Sequence, residues 1–463
     1  MKPVGLSVPW EATPQTLCEA VNFHGPTILL ESARTHPVTG RYSILVGEPD
    51  FILTSRGGRA ELKTAEGIQP LPGDPLEEME RLLDAWKTEP VPGLPPFVGG
   101  AVGYFSYDAC RLWQPLPSRA AQDLNLPEIA FLFCSQALVI DHAEGKLWAI
   151  ALDRDPNRGR NRAAALLDRA TRPGSFTRPS TSSGRTEELI STHTRESFEA
   201  MVRQAKQRIA DGEIYQANLS QRFDLPLATA PWELYRRLTR INPSPFAAFA
   251  ELGFLQIISA SPERLLKVSG DLAETRPIAG TRPRGQSSVE TARLRTELLL
   301  NEKERAEHLM LVDLERNDLG RFCRYGTVCV DDWMALEEYS HVIHIVSNVR
   351  GTVNSDARWS EMVKAVFPGG TITGCPKIRC MEIIEELEPV RRQLYTGSMG
   401  YLSATGAMDL NILIRTAFSA GGRLYFQAGA GIVADSDPSR EYDETLHKAR
   451  ALRELFEPDP VFV

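Results

Sequence analysis

Two pairs of glutamates, each three residues apart, are the first residues in this chain whose types and spacing could do chemistry. Glu304 and Glu307 lie in NEKERAEHLM, and Glu441 and Glu444 in SREYDETLHKA. On helices each pair shares a face, and carboxylates from two facing helices suit a hard cation such as Mg²⁺. Taken alone, the first pair, with Lys303 and Arg305 beside it, is more simply a solvated helix face. Two glycine-rich segments, FPGGTITGCPK (367–377) and QAGAGIVADSD (427–437), could bring backbone N–H groups close to an anion. Structural turns explain them as well, and neither matches a P-loop or a GxGxxG dinucleotide fingerprint.

Three further side chains stand out. Arg415 sits inside the apolar, strand-like run NILIRTAF, and a buried arginine needs an anionic partner. His344 alternates with apolar residues in SHVIHIVS, where a satisfied core histidine is the simpler reading without further context. Glu263, in SASPERLL, follows a strand and a turn, where an acid can point into a cleft or out to solvent.

The elements that must position these residues follow from composition and periodicity. At 463 residues and 42% hydrophobic content the chain can bury a large core. A formal net charge of −8 argues against nucleic acid as a partner, while leaving room for a local cationic pocket. Seven scattered cysteines without a CxxC pair indicate reduced thiols. The opening MKPVGLSVPWEATPQ lacks the apolar core of a secretion signal, and no stretch reaches membrane-span length. The expectation is a soluble, cytoplasmic protein with no membrane partner.

A Pro/Ser/Thr/Gly/Arg-rich stretch at 171–190 reads as a flexible linker between an N-terminal region, 1–170, and a second region, 191–463. Before it, ILLES, RYSILVG, DFILTS, FLFCSQALVID and KLWAIALD are β-rich runs bounded by turn residues. After it, Phe198, Met201, Val202, Ala205 and Ile209 have helical spacing, opened near Thr194 and closed by Gly212. IYQANLSQRFDL alternates as a strand. Further helices are expected around Glu290–Leu314, at Lys377–Glu388 and from Pro438 to Leu455. Strands and helices mix without regular βαβ alternation, which favours an α+β fold on large antiparallel sheets.

The segments YQANLSQRF, ISASPERLL, RPIAGTRPRG, RAEHLMLVDLERNDLGR, YSHVIHIVS, FPGGTITGCPKIRCMEIIEELEP, GSMGYL, MDLNILIRT, QAGAGIVADS and EYDETLHKA resemble, in order, the chorismate-utilising enzymes. LLES and RYSILVGEPDFIL extend the likeness towards the N-terminus. The resemblance implies two large antiparallel β-sheets packed face to face with helices outside, and an active site between them. It implies that Glu307 and Glu444, with Glu304 and Glu441 beside them, hold Mg²⁺ at the ring carboxylate of chorismate. Arg415 and Tyr395 would grip the enolpyruvyl carboxylate, with Thr371, Lys448 and the amides of Gly429, Ala430 and Gly431 helping. Glu263 would protonate the departing C4 hydroxyl, a poor leaving group without an acid. His344 would lie near the ring carboxylate, and Ser32 with Pro243 and Ser244 would belong to a tryptophan pocket.

Family members that add water carry a lysine where this chain has Gln216, so the resemblance implies ammonia as nucleophile. No GxCxG elbow with a downstream His–Glu pair is present, which leaves ammonia to a glutamine amidotransferase subunit. Two products remain. Ala279, in Pro277-Ile278-Ala279-Gly280-Thr281, matches the anthranilate branch, where the aminodeoxychorismate branch carries a lysine that attacks C2; Thr281, common to both motifs, is a catalytic candidate with it. Asn218, PFAAF (245–249), FPGGTITG and GSMGYL match the aminodeoxychorismate branch instead. Four segments against one favour aminodeoxychorismate for folate synthesis, through a non-covalent amino intermediate; anthranilate for tryptophan synthesis is the alternative.

Overall fold

The computed structural model describes residues 1–33, 40–172, 189–285, 287–338 and 342–456, leaving most of the expected linker outside the described residues. Two twelve-stranded sheets carry the fold. The first runs from Lys2–Pro9 at one edge, through Thr27–Glu31 and Phe246–Glu251, to Arg423–Ile432, Gln216–Pro226 and Ile190–Ser191. The second runs from Ile278–Pro283 and Val342–Thr352, through Arg264–Ser269 and Ser398–Ser403, to Gly67–Leu71. The strands pair antiparallel. Thr27–Glu31 pairs with Phe246–Glu251, and Gly100–Phe105 with Ser398–Ser403, so strands from both sides of residues 173–188 complete each sheet.

Period-two alternation sorts side chains between three apolar layers. In Ile129–Cys134, Ala130 and Leu132 face the other sheet, whereas Ile129, Phe131 and Phe133 pack under helices. In Phe246–Glu251, Ala248 and Ala250 join the same inter-sheet layer, while Ala247 and Phe249 turn to the helices of the first sheet. The inter-sheet layer also takes Val102, Tyr104, Val139, Ile257, Met399 and Phe418, which establishes the expected face-to-face packing. Helices Pro75–Asp84, Glu302–Gly320 and Trp359–Val366 cover the second sheet. Helices Pro14–Val21, Pro156–Thr171, Pro231–Ile241 and Pro438–Arg453 cover the first.

Most expected elements are present, with three differences. The helix opened by Thr194 spans Arg195–Ala210, the threonine hydroxyl accepting from Ser197 N–H, and Gly212 follows at φ 76°. The helix expected around Glu290–Leu314 is two, Ser288–Leu300 and Glu302–Gly320. Asn301 breaks it: at ψ 109° it leaves the helical region, and its side chain accepts from Glu304 N–H at 3.0 Å. FLFCSQALVID, one run in the sequence, is divided at Ser135 between the two sheets, because Asp50 takes the Ser135 N–H at 2.7 Å and turns the chain. Arg415 is not within a strand. It ends the 412–415 crossing from Met408–Asn411 in the second sheet to Thr416–Ala420 in the first, at φ 50°. The same kind of crossing, from Gln256–Ser261 to Arg264–Ser269, carries Glu263.

No described helix is long and apolar enough to cross a membrane. None of the seven cysteines is in a disulfide. Leu132 is fully buried between the sheets. Leu132→Ala should lower stability by about 2–5 kcal/mol, read as a drop in urea midpoint, because a rigid sheet pair cannot collapse onto the cavity.

Candidate active site

Glu263 and Arg415 meet because their two crossings are laced together. Ile412 N–H donates to Glu263 O at 3.0 Å, and Ala260 N–H to Arg415 O at 3.2 Å. The Glu263 side chain is buried, and burial pushes its pKa up to about 7. Thr371, the Ile278 amide, Arg415 and Lys448 pull in the opposite direction but do not cancel it. A carboxylic acid that keeps its proton near neutrality, beside two cations, can protonate a leaving group. Thr371 Oγ1 is buried and faces this carboxyl without a hydrogen bond of ordinary geometry.

His344 lies in Val342–Thr352, with its Nδ1 3.4 Å from Gly280 O. Burial, then the Arg415 charge, hold its pKa down to about 4, so the ring is neutral at neutral pH. Ala279 is half-buried on the adjoining strand. A register shift between Ala279 and Thr281, with Gly280 at φ 64°, bends that strand next to His344. The Thr281 side chain lies outside the described residues.

The first sheet supplies the opposite wall. Gln216 and Asn218 share one face of Gln216–Pro226, while Ala217 and Leu219 pack towards helices. Asn218 pairs with Gly431 and Ser220 with Gly429. A Cβ on Gly429 would meet Asn218 Oδ1 at 2.5 Å and Tyr395 Oη at 2.7 Å; one on Gly431 would meet Gln216 Nε2 at 2.6 Å. Glycine is required at 429, where backbone Leu219 O also lies within 2.8 Å, whereas at 431 the amide of Gln216 would have to move aside. The pairing of Arg423–Ile432 with Thr416–Ala420 ends at Phe426, so 427–432, including Ala430, have a described strand partner on one side only. Backbone groups on that open edge can meet an anion.

Tyr395, buried and with its pKa raised by burial, is fixed by Arg392, whose guanidinium lies 5.6 Å from the ring centre. Arg415 is half-buried, and its Nη1 donates to Asn242 Oδ1 at 3.4 Å. Lys448 bonds Gly429 O at 3.2 Å and pairs with Glu444 at 2.7 Å.

The two acidic pairs lie on Glu302–Gly320 and Pro438–Arg453. Glu304 holds Arg282 at 3.0 Å, as Glu444 holds Lys448. Glu307 is half-buried and Glu441 buried. Among the described residues no three His, Cys, Asp or Glu side chains close on one metal position. The donor set is carboxylate throughout, which suits a hard cation, and Glu304 and Glu444 each already balance a positive charge.

A separate cavity of about 500 Å³ opens between the sheets. Ser32 lines it, as do Glu31, Tyr42, Pro245, Phe246 and Met399. Pro243 and Ser244 are not among its lining residues. The Ser244 hydroxyl turns away to Ala260 O at 2.8 Å, leaving Pro245 as the part of NPSP that reaches the cavity.

Sequence reasoning missed two buried groups. Arg392 carries no periodic or motif signal. Glu315, in LERND, accepts from Thr275 Oγ1 at 2.9 Å, and burial pushes its pKa up to about 8, with Asp318 and Glu263 adding to the shift. Its one sequence signal is an acid on the buried face of a helix that also carries the metal-candidate glutamates.

A two-sheet protein with a buried acid, a neutral histidine and an open strand edge is the class defined by this fold and site. The model of the chorismate binding enzyme family matches residues 34–454, and the chain belongs to that family. It is 41% identical to aminodeoxychorismate synthase component 1 of Bacillus subtilis, over 98% of this chain and 97% of that one. It is 40% identical to anthranilate synthase component 1 of Acetivibrio thermocellus, over 96% and 93%. The solved anthranilate synthase component I of Streptococcus pneumoniae superposes with a TM-score of 0.80 at 34% identity, over 92% and 94%. The protein is a chorismate-utilising enzyme.

If Glu263 is the acid, kcat/KM for chorismate should fall as pH rises above about 7, because the proton is lost there. Glu263→Gln should cost about 10²–10⁴-fold in turnover and remove that limb from the residual pH profile. A small loss with the limb retained would point to Glu315 instead.

Proposed function

We propose that this chain is an aminodeoxychorismate synthase component I, aminating chorismate with ammonia supplied by a glutamine amidotransferase subunit. The observation that carries the chemistry is Glu263, a buried acid titrating near neutrality between Thr371 and Arg415. It donates its proton to the C4 hydroxyl as ammonia bonds to C2, and the hydroxyl departs as water. Arg415 and Tyr395 hold the enolpyruvyl carboxylate, Thr371, Lys448 and the amides of 429–431 assist, and His344 stays neutral beside the ring carboxylate. Glu307 and Glu444, flanked by Glu304 and Glu441, are the residues to hold Mg²⁺. When bound, the ion neutralises the ring carboxylate.

Relatives of both activities lie at similar identity, so identity does not choose the product. The segments that favour aminodeoxychorismate divide by place. Phe246 of PFAAF and Met399 to Tyr401 of GSMGYL line the separate cavity, whereas Asn218 and Thr371 lie at the site. Ala279 offers no amine for a covalent adduct. A second ammonia bonding to C4, with the first leaving C2, then gives 4-amino-4-deoxychorismate; net, one ammonia enters and one water leaves. Ala279 is also what favours the second reading, anthranilate synthase. The cavity lined by Ser32 is the place for tryptophan, and its volume is in the range of small-molecule sites.

Purified protein given chorismate, Mg²⁺ and ammonium separates the readings. The expected product yields 4-aminobenzoate only after aminodeoxychorismate lyase is added, with no lysine adduct by intact mass. Anthranilate formed without lyase would overturn the assignment. Glu307→Ala and Glu444→Ala should each abolish Mg²⁺-dependent turnover without unfolding, measured by activity across Mg²⁺ concentrations alongside circular dichroism. Near-normal turnover at ordinary Mg²⁺ would remove both from the metal site.

A further inference from the structure

We infer that Glu315 is a positioning residue for the acid: through the Thr275 hydroxyl it fixes the segment whose Ile278 N–H meets the Glu263 carboxyl. The inference rests on Glu263 being the acid proposed above. Besides the two cations, Thr371 and the Ile278 amide are the groups that bond this carboxyl. One face of helix Glu302–Gly320, at Leu314, Glu315 and Asp318, holds both of them in place. Leu314 lies so close to the turn carrying Thr371 that a Cβ on Gly370 would fall 1.6 Å from its Cδ2. Asp318 accepts from Lys377 Nζ at 2.6 Å, and the same ammonium donates to Val366 O at 3.0 Å. That bridge ties together the two ends of the stretch around Thr371. Glu315 accepts from Thr275 Oγ1 at 2.9 Å, three residues before Ile278.

Between Thr275 and Ile278 the chain has little freedom. Pro277 has a ring-fixed φ, and its carbonyl accepts from Ser347 N–H at 3.3 Å. Arg276 pairs with Glu337. A displacement at Thr275 is therefore passed on to Ile278. Burying a carboxyl is costly unless it is uncharged and hydrogen-bonded, and Glu315 meets both conditions. The charged groups facing it are Asp318 on its own helix, Lys377 on the next and Glu263 on the crossing. Lys377 is already engaged by Asp318. Burial, then the Asp318 charge, push the Glu315 pKa up to about 8, so the acid is largely neutral where Glu263 titrates, near 7. What it offers Thr275 is a carbonyl oxygen. A glutamine offers the same atom, and a leucine offers none.

The test is turnover of chorismate with Mg²⁺ and ammonium across the neutral pH range, with folding followed by circular dichroism. Glu315→Gln, Glu315→Leu and Thr275→Val are compared beside Glu263→Gln. Glu315→Gln should stay within about threefold of wild-type kcat, the conservative variant restoring what leucine removes. Glu315→Leu and Thr275→Val should each lower kcat about tenfold, with KM for chorismate within about twofold of wild type. In both, the falling limb should move to higher pH by up to about one unit, because the displaced Ile278 amide favours the ionised acid. The double variant should lose no more than either single one. Thr275→Val carries the test if the leucine variant does not fold. An unmoved limb in folded Glu315→Leu and Thr275→Val, whatever their kcat, would reduce Glu315 to packing and overturn the inference. A loss of about 10²-fold in Glu315→Gln would overturn it too, by making Glu315 a proton donor in its own right. If Glu263→Gln keeps most of its turnover, the acid assignment fails and takes this inference with it. If Glu263→Gln is crippled and the limb stays put in the other variants, the positioning role alone fails.

Discussion

The site depends on a buried ion pair between Arg392 and Glu388. Nη2 and Nε of the arginine meet the two carboxylate oxygens at 2.7 and 2.9 Å. The remaining arginine donors reach Ile372 O at 2.9 Å and Asn218 O at 2.6 Å, and the guanidinium lies over the rings of Tyr395 and Tyr107. Glu388 in turn takes Ser220 N–H and Oγ at 2.9 and 2.8 Å. One charge pair thus joins the Gln216–Pro226 strand, the turn that carries Thr371, and Tyr395. Losing either partner would leave an uncompensated buried charge, a cost of about 3–5 kcal/mol. The pair is best understood as fixing relative positions, since a hydrophobic replacement could match it for stability but not for direction.

Around that anchor, chemistry collects where the chain changes sheets. At these corners the ladder stops, and a residue can turn its side chain into the gap between the layers. Arg415 takes a left-handed φ that a non-glycine residue adopts only when its surroundings impose it. Glu263 gains its elevated pKa from the same enclosure. The next residue, Arg264, pairs with Asp409 at 2.9 Å and lines the separate cavity. The acid therefore immediately precedes a strand that lines the cavity.

Which residues could do chemistry was legible in the sequence by itself, and so was the general architecture. Acid pairs at helical spacing, glycines two apart and the order of the family segments depend on local chemistry, and local chemistry is written residue by residue. Alternation marked the strands, and Thr194 and Gly212 marked a helix, because caps and pleats are short-range. Tertiary structure alone decided the rest. It made two strands of FLFCSQALVID, because Asp50, distant in sequence, turns Ser135. It put Arg415 at a corner, because an apolar run looks the same whether it continues in one sheet or crosses to the other. It separated Ser244 from the cavity that Ser32 lines, and showed that two of the branch-defining segments face that cavity and not the site. It also gave Arg392 its place, since an arginine's burial depends on partners drawn from three distant segments, and no spacing in the sequence records that they meet.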